Sequence, residues 1–102
     1  MKPSIRQKLD LLVDRLDEID RMLSAPSTAN DMDQFRKLSR ERAEIEPVII
    51  QFTAFRQAEN DLAEAEAMLA DPDMREFAEE EMATAKARLP ELEVELQKLL
   101  LP

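Results

Sequence analysis

Three stretches of this chain repeat apolar residues at helical spacing, with steps of four and three alternating strictly in the first and the last. That spacing keeps side chains on one stripe of an α-helix. In the first stretch the stripe is Ile5, Leu9, Leu12, Leu16, Ile19 and Leu23, with charged residues between its members. Pro3 suits a first helical turn, where its missing N–H would be unpaired anyway. Ser4 and Gln7 have the spacing of a capping box. Pro26 disfavours helix at Ala25 and so closes the stretch. The pattern predicts a helix over 3–24.

The second stripe is Phe35, Leu38, Ile45, Ile49, Phe52, Phe55, Leu62, Ala65 and Leu69, predicting a helix over 30–70. Asn30 or Asp31 would serve as its N-cap, and Asp31 and Asp33 suit the positive helix end. Two residues disturb the pattern. Arg42 stands where the stripe calls for an apolar side chain, and Pro47 falls in the middle. The stripe resumes past Pro47 without turn residues, which predicts a kink rather than an end. The β-branched run Val48-Ile49-Ile50 leaves a break as the alternative. Asp71-Pro72-Asp73 is the clearest punctuation in the chain: an N-cap, a first helical residue and a favourable first-turn charge. The third helix, over 72–101, carries Ala78, Met82, Ala85, Leu89, Leu92, Leu96 and Leu99. Pro90 lies between stripe positions, so a second kink is expected with Pro90 on the outer face.

Helices of these lengths would extend roughly 33, 60 and 43 Å. Short connections between them require antiparallel neighbours. The expected fold is all-α: an elongated antiparallel three-helix bundle, or overlapping helical hairpins with coiled-coil-like seams, in one helical domain over 1–102.

Composition narrows the function more than the fold. The chain has no Gly, Cys, His, Trp or Tyr. Glycine-rich phosphate loops, zinc sites built on Cys or His, disulfides and His-based catalytic triads are therefore excluded. No catalytic, cofactor-binding or metal-binding residues are assigned, and no cofactor is expected. Glu79-Glu80-Glu81 is a solvated run, since adjacent helical residues point about 100° apart rather than converging. The first residues are charged and amphipathic, unlike a signal peptide. No stretch reaches the roughly 18 apolar residues of a membrane span. A cytoplasmic protein without a membrane partner is expected.

The net charge of −9 is unevenly placed. Residues 1–56 hold 10 basic and 10 acidic residues, whereas residues 57–102 hold 4 basic and 13 acidic. An acidic surface repels phosphate, so general nucleic-acid binding by this chain is not expected. A basic protein partner fits that surface better. Within the neutral part, Arg36, Lys37 and Arg40 cluster, with Arg36 and Arg40 one turn apart on a single face. They are the candidate contact residues for RNA or an acidic partner. The competing reading is a solvated face, with Lys37–Glu41, Arg40–Glu44 and Arg42–Glu46 paired at i,i+4. Met74 and Phe77, near the tip of the second hairpin, are expected off the stripe and exposed, as a docking spot or as tip packing.

Several segments also carry a family likeness. Met1-Lys2-Pro3-Ser4-Ile5 before a Leu-rich amphipathic helix resembles the start of bacterial class I peptide chain release factors, most closely the type that reads UAA and UAG. Phe35-Arg36-Lys37-Leu38-Ser39-Arg40-Glu41 resembles that family's second helix, and Glu46-Pro47-Val48 its mid-helix proline. Asp61-Leu62, Met68-Leu69-Ala70-Asp71-Pro72 and Met74-Arg75-Glu76 resemble its second hairpin tip. Leu99-Leu100-Leu101-Pro102 is similar to the passage into the next domain, while Pro90 departs from the pattern. The resemblance implies the N-terminal helical domain of a longer factor in translation termination. It implies docking on the ribosome near the stalk base and a link to the GTPase release factor. The family's Gly-Gly-Gln loop cannot lie in a chain without Gly, so the chain is not expected to be an enzyme. The codon-reading Pro-x-Thr loop is likewise expected to lie elsewhere. Two other readings need no family: a free-standing coiled-coil adaptor or oligomerisation module, and a tRNA-binding hairpin like the arm of seryl-tRNA synthetase. The acidity of residues 57–102 argues against the second of these.

Overall fold

A computed structural model describes residues 1–102. Its elements are α1 (Pro3–Leu23), α2 (Pro26–Ala29), α3 (Met32–Met68) and α4 (Arg75–Leu100), with no strand. They form an all-α assembly of helical hairpins. The chain divides into two compact units, Met1–Ile50 and Gln51–Pro102.

In the first unit, Pro3 occupies the first turn of α1 as expected, but the capping box does not form. With Pro3 as the first helical residue, Ser4 already lies inside the helix and cannot cap it. The Lys2 carbonyl instead accepts the N–H groups of Ile5 and Arg6, each at 3.1 Å. At the other end, the Ser24 N–H and hydroxyl both bond to the Asp20 carbonyl. The Ser24–Thr28 stretch, read as a plain terminator, contains a further element. Pro26 has a preset φ and needs no N–H partner, so it starts the single turn of α2. Thr28 in that turn is buried. Asp31 then caps α3, its carboxylate accepting the Gln34 N–H at 3.1 Å.

The core of this unit gathers Ile19 from α1 and Leu38 and Ile45 from α3. Leu12, Leu16, Met22, Leu23 and Ile49 pack against them. Every α1 stripe residue is buried or half-buried, and Leu9 and Ile19 are fully enclosed. Phe35 departs from the expectation and is exposed. It lies in the first turn of α3, where less of the structure reaches over it.

In the second unit, Phe52, Phe55, Ala58 and Ala65 of α3 and Ala78, Ala85, Leu92 and Leu96 of α4 are buried. Ala65 and Ala78 are equidistant from the Asp71–Pro72 turn, as are Ala58 and Ala85. An antiparallel return therefore sets small residues opposite small residues, which lets two helices approach closely. The Arg56 guanidinium lies 4.7 Å from the Phe52 ring centroid. Leu99 is exposed, contrary to the stripe, because it falls in the last turn of α4.

The turn between α3 and α4 differs from the sequence reading. α4 begins at Arg75 rather than Pro72. Asp71 still caps, but it caps a turn: its carboxylate accepts the Asp73 N–H and its carbonyl the Met74 N–H, both at 3.0 Å. The residue before a proline avoids the helical region, which ends α3 early through i→i+3 bonds from Leu69 to Glu66 and from Asp71 to Met68.

Both interior prolines lie inside their helices, so neither Pro47 nor Pro90 breaks its element. Both are exposed, which places Pro90 on the outer face as the spacing predicts. No helix is long and apolar enough to cross a membrane.

Candidate docking surface

The candidate cations lie on the first half of α3. Its apolar positions, Leu38 and Ile45, are fixed against α1 by the core, and that fixes which face turns outward. Arg36, Lys37 and Arg40 all lie on the exposed face. Their pairing departs from the i,i+4 scheme. Arg36 donates backwards to Asp33 at 3.2 Å, between two largely exposed side chains. Lys37 does not reach Glu41, because Arg15 from α1 takes that carboxylate with both Nε and Nη2, at 2.5 and 2.7 Å. Arg40 forms no ion pair with Glu44. Only the third expected pair, Arg42 with Glu46, is present. The cluster thus contains two unpaired cations, Lys37 and Arg40, and one weakly engaged one.

Arg42 explains its own place in the stripe. Its Nε donates to Asp20 of α1 at 2.7 Å while Nη1 holds Glu46. A long side chain can cover the seam with its stem and carry its charge to the rim. The Arg15–Glu41 pair is the second tie between the same two helices. Its hydrogen bonds hold the Glu41 carboxyl below the usual glutamate range, and the Arg15 guanidinium above its ordinary value. Hydrogen bonds to Asp20 and then Glu46 likewise raise Arg42. The sequence offered one sign of this arrangement, a cation in an apolar position. It offered none for Arg15, whose partner lies on a different helix.

Lys37 also borders a groove of about 610 Å³, together with Arg15, Asp31, Asp33, Leu38 and Glu41. Its lining mixes both signs of charge, and one of its carboxylates is already held by Arg15. This is not an anion pocket. No three acidic residues converge as a metal-binding group.

One triplet tests the expectation that the codon-reading loop lies elsewhere. Pro26-Ser27-Thr28 does have Pro-x-Thr spacing, so the spacing itself is present in this chain. Here it builds α2. The Thr28 N–H bonds to the Ala25 carbonyl at 3.1 Å, and the residue is only 3% exposed. A threonine enclosed in this way packs within the turn between two helices.

What remains is a helical-hairpin module with outward-facing charge. Residues 12–102 match the family model described as the PCRF domain. The chain belongs to that family, the peptide chain release factors, and corresponds to the N-terminal helical part of a class I factor. Its role therefore lies in translation termination.

Proposed function

We propose that this chain is a docking domain of a class I release factor of the UAA/UAG-reading type, working in the cytoplasm. It binds the ribosome near the stalk base and communicates there with the GTPase release factor. Arg36, Lys37 and Arg40 supply the contact to an anionic surface, either ribosomal RNA phosphate or acidic protein. The observation that carries this reading is that Lys37 and Arg40 are exposed on one helix face without a carboxylate partner. Cations already free of intramolecular pairs can engage an anion without first giving one up. The chain performs no hydrolysis itself; stop-codon reading and peptide release belong to other parts of the full factor.

The test replaces all three residues with Glu in the full-length factor. Ribosome affinity is expected to fall, and its salt dependence to flatten by roughly 0.7–0.9 in log–log slope for each lost phosphate contact. Unchanged affinity and release kinetics across salt concentrations would remove these residues from the docking surface. Peptide release by the isolated chain on a programmed ribosome would overturn the non-catalytic assignment.

A further inference from the structure

The second unit carries a feature of different chemistry. Phe77 is 49% exposed and Met74 36%, side by side at the start of α4. Phe77 joins Met68 and Ala65 in lining a notch of about 150 Å³, and Asp61, Glu64 and Glu81 complete its wall. That volume is close to one known to hold a benzene ring. It falls below the roughly 300–1,000 Å³ of pockets that enclose a small molecule. The notch is therefore sized for one side chain of a larger partner.

The three carboxylates set that partner's charge. Asp61 accepts from the Gln57 amide at 2.9 Å and Glu64 from the Asn60 amide at 3.1 Å. Neutral donors leave both charges uncompensated. None of the three forms an ion pair, and Arg75 in the first turn of α4 is engaged with Glu79. A phosphate backbone would meet three like charges here. A cationic segment with an apolar anchor would meet complementary charge around a hydrophobic seat. A helix with Leu on one face and Lys or Arg on the flanks offers both within one turn.

We propose that this notch at the tip of the second hairpin is a docking site for a basic amphipathic helix of a protein partner. One apolar side chain seats against Phe77 and Met68, above the buried Ala65, and its neighbouring cations reach Asp61, Glu64 and Glu81. This site shares no residue with the Arg36–Lys37–Arg40 face and stands or falls without it.

The test uses the 102-residue chain and four fluorescent probes: an 18-residue Leu/Lys peptide patterned as an amphipathic helix, a scrambled peptide of the same composition, a Leu/Glu counterpart and a 20-nucleotide RNA. Anisotropy measures binding, and methyl and amide NMR shifts locate it. Preferential binding of the patterned Leu/Lys helix, with shifts centred on Ala65, Met68 and Phe77, is the expected result. Phe77→Ala should weaken it roughly tenfold, the scale of an aromatic anchor. Glu64→Gln with Glu81→Gln, on exposed positions that do not hold the fold, should weaken it and reduce its salt dependence. Arg36→Glu with Lys37→Glu and Arg40→Glu should leave it unchanged. Equal binding of the scrambled peptide, no loss in either variant, shifts elsewhere on the chain, no binding of the patterned peptide, or preferential binding of RNA would each overturn the proposal.

Discussion

The two units answer one heptad-like pattern with different physics. The first fills its seam with Leu and Ile and ties α1 to α3 through Arg15–Glu41 and Arg42–Asp20. The second narrows its seam with four alanines, and its Arg75–Glu79 and Lys98–Glu95 pairs stay within α4. One hairpin is specified by bulk and cross-helix charge, the other by close approach of small side chains. The difference follows from charge supply. Gln51–Pro102 holds 5 basic against 13 acidic residues, whereas Met1–Ile50 holds 9 against 10.

The sharpest way to break this contrast is to empty a core position in each unit. Phe52→Ala should cost about 3–5 kcal/mol and Ile19→Ala about 2–5 kcal/mol, since both side chains are fully buried. Urea denaturation followed by circular dichroism measures both. Next in size is the opposite change. Ala85→Leu should destabilise by about 1–3 kcal/mol if the second seam is closed by small residues. A neutral result in the same denaturation series would mean that the helices there are not closely apposed.

The caps separate the units by a smaller margin. Asp31→Ala removes a true N-cap and should cost about 1 kcal/mol. Asp71→Ala should cost less, because Asp71 closes a turn rather than a helix start. Paired thermal melts compare the two.

The smallest effect concerns pH. Glu41 has a depressed pKa in the folded chain, so its contribution is present above the ordinary glutamate range of roughly 4.3 and is lost as pH falls through the lower folded value. Glu41→Gln should flatten the acid limb of the stability profile and leave the profile near pH 7 similarly shaped. Urea midpoints between pH 2 and pH 7 would show it. A variant retaining the full acid limb would assign that limb to other carboxylates.

The stripes were readable because each is a local property: Leu9, Ile19, Leu92 and Leu96 lie where a step of four and three puts them. Reading failed where position depended on something outside the local repeat. Phe35 and Leu99 fit the stripe, but helix ends are poorly covered. Val48 and Ala58 are buried although the predicted stripe skipped them, because the enclosed face of α3 advances by three from Ile45 to Val48 and again from Phe52 to Phe55 to Ala58. Such a shift follows packing rather than a fixed heptad. Among the candidate contacts, the cations could be found by their spacing. That Lys37 would remain unpaired depended on Arg15, a residue on another helix.

A final consequence lies in the turns. The chain has six prolines and no glycine, and no residue adopts a positive φ. Every reversal is thus made from conformations open to any residue with a Cβ. Before folding, such a chain wanders through fewer states than a glycine-bearing one, and Pro26 and Pro72 hold φ near its final value at both connections. Part of the stability of these hairpins therefore resides in no contact at all. It lies in how little freedom the unfolded chain has to surrender.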